Sequence, residues 1–283
     1  MKLKIFSALF LTLMIFTGCG NDTPQSQGKI EKVGMLTHAN IDEKQIDDYT
    51  KNFYSAQGVT TAQQQTTYYN SLNSMQMGLT AGNIDTIRTY GSVANYMTGR
   101  DSKLAIKNSQ TVQLVDNFSC AIRENDTELK EKFDAAISSM KSDGTLDNLV
   151  EKYIKNLKAD EEPPAVAMPK IAGAETIKVG VTGDLPPLDL VLADGKPAGF
   201  NTAVLSEISQ RIVKNIELVH IDSNARAAAL ISGQVDVIFW VVTPEGESPL
   251  PANADTPAGV TLTQSYYQDV VVDVGLGAVF AGL

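Results

Sequence analysis

The sequence predicts an α/β fold made of two lobes. Short apolar segments typical of strands alternate with segments of helical periodicity, and this alternation occurs on both sides of a proline-rich stretch at residues 160–176. Such alternation favours parallel or mixed sheets covered by helices. The chain has 283 residues, of which 43% are hydrophobic, and this is enough for two modest cores.

The first residues indicate the compartment. Lys2 and Lys4 precede an apolar run at residues 5–16, and Gly18 directly precedes Cys19. A run this short, followed by small residues, is typical of an export signal rather than a membrane-spanning helix. The cysteine matches the bacterial lipobox, with a plain signal peptide and an incidental cysteine as the alternative. We therefore predict a signal peptide at 1–18, lipidation of Cys19, a polar tether at 19–28, and a lipid-anchored position on the extracytoplasmic face of the cell membrane.

The elements before the proline-rich stretch follow from periodicity. In residues 29–122 we predict strands at 32–36, 66–69, 84–89, 112–115 and 118–122, and helices at 42–53, 71–79 and 92–97. Gly82 stands where a glycine caps the end of a helix. In residues 123–157 two helices follow, the first with Phe133 and Met140 on its apolar stripe and with Gly144 just after its end.

Residues 158–176 contain three prolines and an acidic run, which predicts a semi-extended linker. In residues 177–283 the alternation starts again, with strands at 177–181, 216–221, 235–242, 261–263 and 270–276 and helices at 201–212 and 225–231.

Composition excludes several classes of function. The formal net charge is −10, which disfavours nucleic-acid binding through a basic surface. Cys120 is the only cysteine besides Cys19, so no internal disulfide framework is possible, and its apolar neighbours predict a buried structural thiol. The two histidines, His38 and His220, are far apart and lack companion cysteines, so we predict neither a metal nor a cofactor.

Three segments together resemble the bacterial extracellular solute-binding proteins of family 3, the polar amino acid-binding lipoproteins of ABC importers. Residues 176–243, with the motifs GDLPP, DGKPAGFN and SGQVDVIFW, resemble the opening half of that family. Residues 118–157 resemble its closing stretch, and residues 30–122, including SLNSMQMGLTAGNIDTIRTYGSVANYM, resemble its second lobe. The resemblance implies a periplasmic-binding-protein-like type II fold, with two lobes of mixed sheets joined by a hinge.

The order of the segments differs from that of the family, which runs from lobe 1 to lobe 2 and back to lobe 1. Here residues 29–122 are lobe 2-like, residues 123–157 form the closing helices of lobe 1, and residues 177–283 are lobe 1-like. A circular permutation accounts for this order, with residues 158–176 joining the two usual chain ends. A truncated tandem repeat is the alternative.

A clamshell binder needs polar groups from both lobes at one cleft, at the carboxyl ends of the strands. This rule selects four regions, at residues 182–185, 240–243, 36–40 and 89–92, and the candidate ligand-binding residues in them are Asp184, Leu185, Trp240, Thr243, Thr37, Asn40 and Tyr90. The resemblance adds Arg226 as an eighth candidate, and no catalytic residue is predicted.

The resemblance also shows departures at the site. The arginine that usually grips a carboxylate after the third lobe 1 strand is absent from TPEGESPLP, and Tyr90 stands where the family has an aspartate. Arg226, at the start of a helix, offers a planar fork of donors in its place, with a solvent-facing arginine as the alternative. Trp240 is the only tryptophan and either stacks on a ligand or packs in the core.

These observations predict a monomeric, non-enzymatic substrate-binding lipoprotein of an ABC importer. Its ligand would be a small polar solute, amino-acid-like or otherwise carboxylate-bearing, and its partners the permease subunits. The alternatives are a ligand-sensing lipoprotein for a receptor partner and an enzyme similar to cyclohexadienyl dehydratase on the same fold. A degenerate module without a ligand is a further alternative.

Overall fold

The computed structural model describes residues 30–58, 63–107 and 113–277. The predicted signal peptide at 1–18, Cys19 and the tether at 19–28 lie outside the described residues, as does the first residue of the strand predicted at 112–115. Among the described residues, no helix has both the length and the hydrophobicity needed to cross a membrane.

The described residues alternate between strands and helices along the chain. The strands are β1 (Glu31–Leu36), β2 (Gln64–Tyr69), β3 (Thr86–Tyr90), β4 (Leu104–Lys107), β5 (Val115–Arg123), β6 (Thr176–Val181), β7 (Asp184–Leu185), β8 (Asp189–Val191), β9 (Pro197–Ala198), β10 (Asn215–His220), β11 (Val237–Glu245), β12 (Val260–Leu262) and β13 (Tyr267–Leu276). The helices are α1 (Glu43–Ala56), α2 (Leu72–Thr80), α3 (Gly91–Arg100), α4 (Thr127–Ser142), α5 (Thr145–Val150), α6 (Phe200–Ile212) and α7 (Arg226–Ile231).

The main strands follow one continuous path in the order β10-β6-β11-β5-β13-β3-β1-β2, with β12 beside β5 and β4 beside β13. Lobe 1 contains β5, β6, β10, β11 and β12 with helices α4 to α7, and lobe 2 contains β1 to β4 with helices α1 to α3. In both lobes three parallel strands, β10-β6-β11 and β2-β1-β3, stand next to antiparallel neighbours. This two-lobed arrangement of mixed sheets confirms the predicted α/β class.

Strand β13 belongs to both lobes. Its first four residues, 267–270, pair with β5, and residues 271–275 pair with β3 of lobe 2. The change of partner between Val270 and Val271 places the junction of the lobes inside one strand. Any rotation of one lobe against the other must therefore be absorbed by β13 and by the neighbouring strands of the junction.

Local sequence explains where several helices begin and end. Asp42 and Gln45 form a capping box at the start of α1, with each side chain accepting the other residue's backbone N–H. The Ser71 hydroxyl caps α2. Gly82 and Gly144 follow α2 and α4 with positive φ angles of 74° and 77°, which glycine adopts without steric cost. Both glycines stand at the positions predicted from the sequence.

The largest buried side chains join the helices to the sheet. Phe133 and Met140 on α4, Phe200 on α6, and Phe118 and Phe239 on the sheet strands are inaccessible to solvent. Cys120 is buried among them as a free thiol, as predicted, and burial raises the pKa of this thiol far above its ordinary value. The apolar stripes read from the sequence are therefore core surfaces.

Several elements differ from the prediction. The two strands predicted at 112–115 and 118–122 are replaced, within the described residues, by one long strand, β5. The second predicted helix of residues 123–157 ends in a π-helical turn at Glu151–Lys155. The helix predicted to begin at residue 225 begins at Arg226, after a 3₁₀ turn at Ser223–Ala225. Strands β4 and β7 to β9 were not predicted, because they are two to four residues long and too short for a periodic pattern.

Candidate functional site

A cavity of about 80 Å³ lies where the two lobes meet. Lobe 2 contributes the end of β1 with the following loop and the end of β3. Lobe 1 contributes the start of α7, strand β11 and the loop between β11 and β12. Strands β5 and β13 contribute Asp116 and Val271. The cavity is therefore built from the carboxyl ends of parallel strands and from the strands of the junction, as the fold rule predicts.

Arg226 is the basic residue that lobe 1 contributes to the lining of this cavity. It is 4% exposed, although it is the first residue of α7. Its Nε donates to the Ser223 carbonyl at 3.2 Å, and its Nη1 donates to the Trp240 carbonyl at 2.8 Å. Its Nη2 donates to the Thr37 carbonyl of lobe 2 at 3.0 Å. Arg226 therefore bridges the two lobes, and in the described chain its hydrogen-bond partners are carbonyl oxygens.

Burial lowers the pKa of the Arg226 guanidinium, whereas Asp255 and Tyr90 shift it in the opposite direction without forming a hydrogen bond to it. A guanidinium carries five N–H donors, and three of them are used. The site thus contains a desolvated positive charge with donors to spare. This is the arrangement that binds a carboxylate in a planar, two-pronged fashion.

Trp240 lies at a bulge in β11, because the pairing of β11 with β5 shifts between Phe239 and Val241. A bulge re-aims the side chain of the extra residue, and the Trp240 side chain lies in the cavity wall. The guanidinium of Arg226 stands 4.6 Å from the centroid of its ring. Its indole Nε1 is buried and has no hydrogen-bond acceptor among the described residues. The indole therefore offers a donor as well as a flat surface.

Tyr90 and Phe118 complete an aromatic floor beneath Trp240. The centroids of Tyr90 and Trp240 are 5.9 Å apart in an edge-to-face arrangement, and those of Tyr90 and Phe118 are 4.7 Å apart. Edge-to-face pairs are favourable, so these contacts stabilise the position of the Trp240 ring. Tyr90 comes from the end of β3 and Phe118 from β5, so the floor joins both lobes.

Arg88 is a second arginine in the cavity wall, on the lobe 2 side. Its Nε and Nη2 donate to the two carboxylate oxygens of Asp273 at 2.8 Å and 3.0 Å. This bidentate pair links β3 to β13. Arg88 is thus committed to a partner within the chain.

The loop between β11 and β12 covers the cavity. Its Ser248, Pro249 and Leu250 line the cavity, and Asp255 from the same loop reaches lobe 2. The Asp255 carboxylate accepts the backbone N–H of Asn40 at 2.8 Å and lies 3.0 Å from His38 Nδ1. This proline-rich loop therefore links the lobes on the roof of the cavity.

Asp116 on β5 also lines the cavity. Burial raises the pKa of this carboxyl to about 6, with His38 acting in the opposite direction and Asp255 and Asp269 adding to the increase. Sequence reasoning did not select Asp116. A weak signal was present, because Asp116 is the only acid in a strand whose second half is mostly buried, and a buried charge needs a partner.

The structure brings four of the eight predicted residues together. Arg226, Trp240, Thr37 and Tyr90 all line the cavity, and His38 does so beside Thr37. Asn40, Thr243, Asp184 and Leu185 are not among the residues that line it. Asn40 is exposed and donates from its side chain to the Ala254 carbonyl at 3.0 Å, so it joins the lobes outside the cavity. Thr243 is half-buried on β11, paired with Asn117.

Asp184 and Leu185 lie at a different point of the junction. Leu185 is fully buried in the core. Asp184 accepts the backbone N–H of Leu72, at the start of α2 in lobe 2, at 2.9 Å. Burial raises the pKa of Asp184 to about 6, which the Leu72 N–H only partly offsets. Asp184 lines an open groove that is separate from the cavity. Because Asp184 comes shortly after β6, we predicted that it would line the cleft. The turn after β6 instead places its side chain next to α2.

Comparison with known proteins gives the family. The model of the bacterial extracellular solute-binding proteins, family 3, matches residues 33–156 and 177–248, which is more than half of the chain. The chain therefore belongs to this family, as the sequence motifs indicated. No curated protein sequence matches it. Among the described residues, no group of histidine, cysteine and acidic side chains is arranged to hold a metal ion.

Solved structures resemble the chain only at low similarity. The ligand-binding component of an ABC-type import system from Staphylococcus aureus, solved with zinc bound, is 12% identical with a TM-score of 0.43, and the match covers 88% of this chain and 66% of that one. The GluR0 ligand-binding core in complex with L-glutamate is 10% identical with a TM-score of 0.41, covering 88% and 85%. An ancestral arginine-binding protein bound to arginine is 11% identical with a TM-score of 0.38, covering 89% and 86%. The family assignment depends on the family model alone.

Proposed function

We propose that this chain is an extracytoplasmic substrate-binding lipoprotein of an ABC importer. It binds a small carboxylate-bearing solute, amino-acid-like or of another kind, in the cavity between its lobes and delivers it to a permease as a monomer. Acylated Cys19 holds it at the cell membrane. The observation that carries this proposal is Arg226, a buried guanidinium hydrogen-bonded to carbonyl groups of both lobes and to no carboxylate among the described residues.

The physical argument starts from the cost of burying a charge. A buried charge is unfavourable unless it is paired and hydrogen-bonded. Three carbonyl oxygens accept hydrogen bonds from three N–H groups of Arg226, but they supply no negative charge. A ligand carboxylate would provide that charge and accept the remaining donors in a water-excluded site, where electrostatic attraction is strong. Arg226 is thus prepared for an anionic group.

Binding and closure are coupled through the same residue. Arg226 belongs to lobe 1, and Thr37, whose carbonyl it contacts, belongs to lobe 2. A solute seated on the guanidinium would favour the closed arrangement, and β13 and its neighbours would bend between the closed and the open form. A permease would bind the closed and the open arrangement of the lobes with different affinity. The lobe order, which we propose arose by circular permutation, leaves this geometry intact.

The proposal is tested with the mature protein and a panel of organic acids, amino acids, dipeptides and nucleosides. Trp240 in the cavity wall allows binding to be followed by intrinsic fluorescence, alongside thermal unfolding. A ligand present at about a hundred times its dissociation constant stabilises the folded protein by about 2.7 kcal/mol. We expect the carboxylate-bearing compounds to give this stabilisation and the nucleosides to give none.

The Arg226→Ala variant should weaken binding of the best carboxylate by about 2–4 kcal/mol, because the ligand's buried charge loses its partner. Arg211→Ala is the matched control, since Arg211 contacts Ser139 and Thr145 on helices remote from the cavity, and it should leave the affinity unchanged. An unchanged dissociation constant in Arg226→Ala, or ligands confined to compounds without an anionic group, would refute the proposal.

A further inference from the structure

The proline-rich linker between the two halves of the chain is fixed to lobe 1 on both sides. It leaves lobe 1 after the π-helical turn at Glu151–Lys155. It returns to lobe 1 where the Val166 N–H donates to the Pro197 carbonyl at 2.9 Å and Ala165 pairs with β9. Residues 158–166, which we call the strap, therefore form a loop whose two ends belong to the same lobe.

Between these ends the strap contacts α3 of lobe 2. Arg100, the last residue of α3, donates from Nη1 to the Ala159 carbonyl at 2.6 Å and from Nη2 to the Glu161 carbonyl. Tyr96, one turn earlier, donates its hydroxyl to the Glu162 carboxylate at 3.0 Å. The Arg100 guanidinium carbon lies 3.7 Å from the centroid of the Tyr96 ring, so the two side chains stack on each other. The strap is thus bound to lobe 2 by a pair of stacked side chains.

Gly99 allows the strap to lie this close to α3. A Cβ atom at Gly99 would stand 2.8 Å from the Ala159 Cβ and 3.4 Å from its Cα, so any larger residue would displace the strap. The backbone does not require glycine here, because Gly99 is not among the residues with a positive φ angle. The approach of the strap therefore accounts for a glycine in the last turn of α3.

Helix α3 extends from the junction of the lobes to the strap. At its start, Ser92 donates its backbone N–H and its hydroxyl to Asp269 of β13 at 3.1 Å and 2.6 Å, next to the point where β13 changes partner. Its ten residues make it about 15 Å long. A rotation of about 15° about an axis across α3 at the junction would move Arg100 by roughly 4 Å relative to lobe 1. Such a displacement breaks a hydrogen bond.

We propose that the strap restrains opening of the lobes by holding the outer end of α3 against lobe 1. The restraint acts outside the cavity, because neither Tyr96 nor Arg100 lines it. It is also reversible, since the Arg100 and Glu162 side chains are 25% and 62% exposed, and partly exposed polar contacts are individually weak. The inference goes beyond the proposed function, because the restraint operates in the chain without a ligand.

The experiment measures the distance between the lobes in the full mature chain without ligand. Spin labels on Lys51→Cys in α1 and Glu131→Cys in α4, two exposed positions, report lobe 2 and lobe 1 in pulsed electron paramagnetic resonance. Cys120 is fully buried and is not expected to react with the label, and Cys19→Ser removes the other thiol. Arg100→Ala should increase the population at long distances about three- to tenfold, because both hydrogen bonds from the guanidinium are lost.

Gly99→Val is a second variant that leaves the Arg100 side chain in place. Its branched side chain would occupy the space of Ala159 and displace the strap. Valine is no less favourable than glycine inside a helix, so a shift to longer distances in this variant cannot come from a weakened α3. Arg211→Ala is the matched control, since it removes hydrogen bonds and an ion pair within lobe 1 only, and it should leave the distances unchanged.

Limited digestion with trypsin monitors the strap itself. The Lys158 side chain is 74% exposed and directly precedes Ala159, whose carbonyl accepts from Arg100. Release of the strap should accelerate cleavage after Lys158 at least about threefold in Arg100→Ala and Gly99→Val, and not in the control. Urea midpoints establish that each variant is folded.

The two measurements together decide the matter. Longer distances and faster cleavage in both strap variants, with neither change in the control, support the proposal. Unchanged distances in both variants refute it, whether or not cleavage accelerates. Longer distances without faster cleavage, or longer distances in the control as well, would show that the lobes loosen for a reason other than release of the strap, and this also refutes it.

Discussion

The two walls of the cavity each contain a buried arginine, and the two arginines differ in their partners. Arg88, in the lobe 2 wall, forms a bidentate pair with Asp273. Burial lowers the pKa of Arg88, but the charge and hydrogen bonds of Asp273 outweigh this effect and raise it overall. Arg226, in the lobe 1 wall, contacts carbonyl oxygens, and burial lowers its pKa.

The difference distinguishes an arginine with a structural partner from the one that we propose binds the ligand. The Arg88–Asp273 pair joins β3 to β13, so it contributes to the stability of folded lobe 2. Arg226 has no such anionic partner in the described chain, so the energy of pairing is available to a solute. Both residues are arginines largely removed from solvent, with Arg226 the more buried, and the partner is the main difference between them.

The comparison is tested most strongly by replacing each arginine with methionine. Arg88→Met leaves the Asp273 carboxylate buried without this partner and should lower the free energy of unfolding by about 3–5 kcal/mol. Arg226→Met strands no carboxylate and should cost on the order of 1–2 kcal/mol. Urea denaturation of the two variants measures both values.

Ligand affinity should show the reverse order. Arg226→Met is expected to abolish most of the affinity for the best carboxylate-bearing ligand, whereas folded Arg88→Met retains it to within a few-fold. If the two variants lose equal stability, or if Arg88→Met loses the greater affinity, the assignment of structural and ligand-binding roles is wrong.

A second test sharpens the contrast between paired and unpaired charges through pH. Burial raises the pKa of Asp116 from 3.8 in the unfolded chain to about 6 in the folded protein. Between these values the folded state binds more protons than the unfolded state, so the contribution of Asp116 to stability is present at low pH and is lost as the pH rises.

We expect Asp116→Asn to remove on the order of 2 kcal/mol of this loss between pH 4 and pH 7, allowing for partial exposure of the group. Urea midpoints of wild type and variant across this range, without added ligand, provide the measurement. Parallel pH profiles for the two proteins would show that Asp116 is not an uncompensated buried acid.

The smallest expected effect concerns the outer junction of the lobes. Asp184 accepts the Leu72 N–H across the junction but lies outside the cavity. Asp184→Ala should lower stability by about 1 kcal/mol, the usual net value of one hydrogen bond, and change ligand affinity less than threefold. Asp184→Asn retains an acceptor oxygen and should keep the ligand affinity of the wild type. A loss of affinity comparable to that of Arg226→Ala would extend the ligand site to this groove.

Much of the fold could be predicted from the sequence because its signals are local. The apolar stripe of α4 and the glycines after α2 and α4 need only a few neighbouring residues to be recognised. Arg226 was selected through the family resemblance, because it begins the helix predicted at 225–231, where the family often has an apolar cleft residue, and could replace the missing arginine. The permuted lobe order stays a prediction.

The rest of the site depends on contacts between distant parts of the chain. Asn40 and Asp255 are 215 positions apart, and nothing in the proline-rich loop signals that it reaches lobe 2. The turn after β6 places Asp184 at α2 and Leu185 in the core, although both were predicted to line the cleft. Such placements arise from the packing of the lobes and leave no periodic pattern in the sequence.

The hydrogen bond from Arg226 to the Thr37 carbonyl has a consequence for rates. Because it uses only groups of the chain itself, it can hold the lobes together whether or not a solute is bound. A solute then enters only during spontaneous openings, so its capture rate levels off at high concentration instead of following diffusion. The rate of ligand capture would then depend on how often this contact breaks together with the other hydrogen bonds between the lobes, such as those of Asp255 with Asn40 and of Asp184 with Leu72.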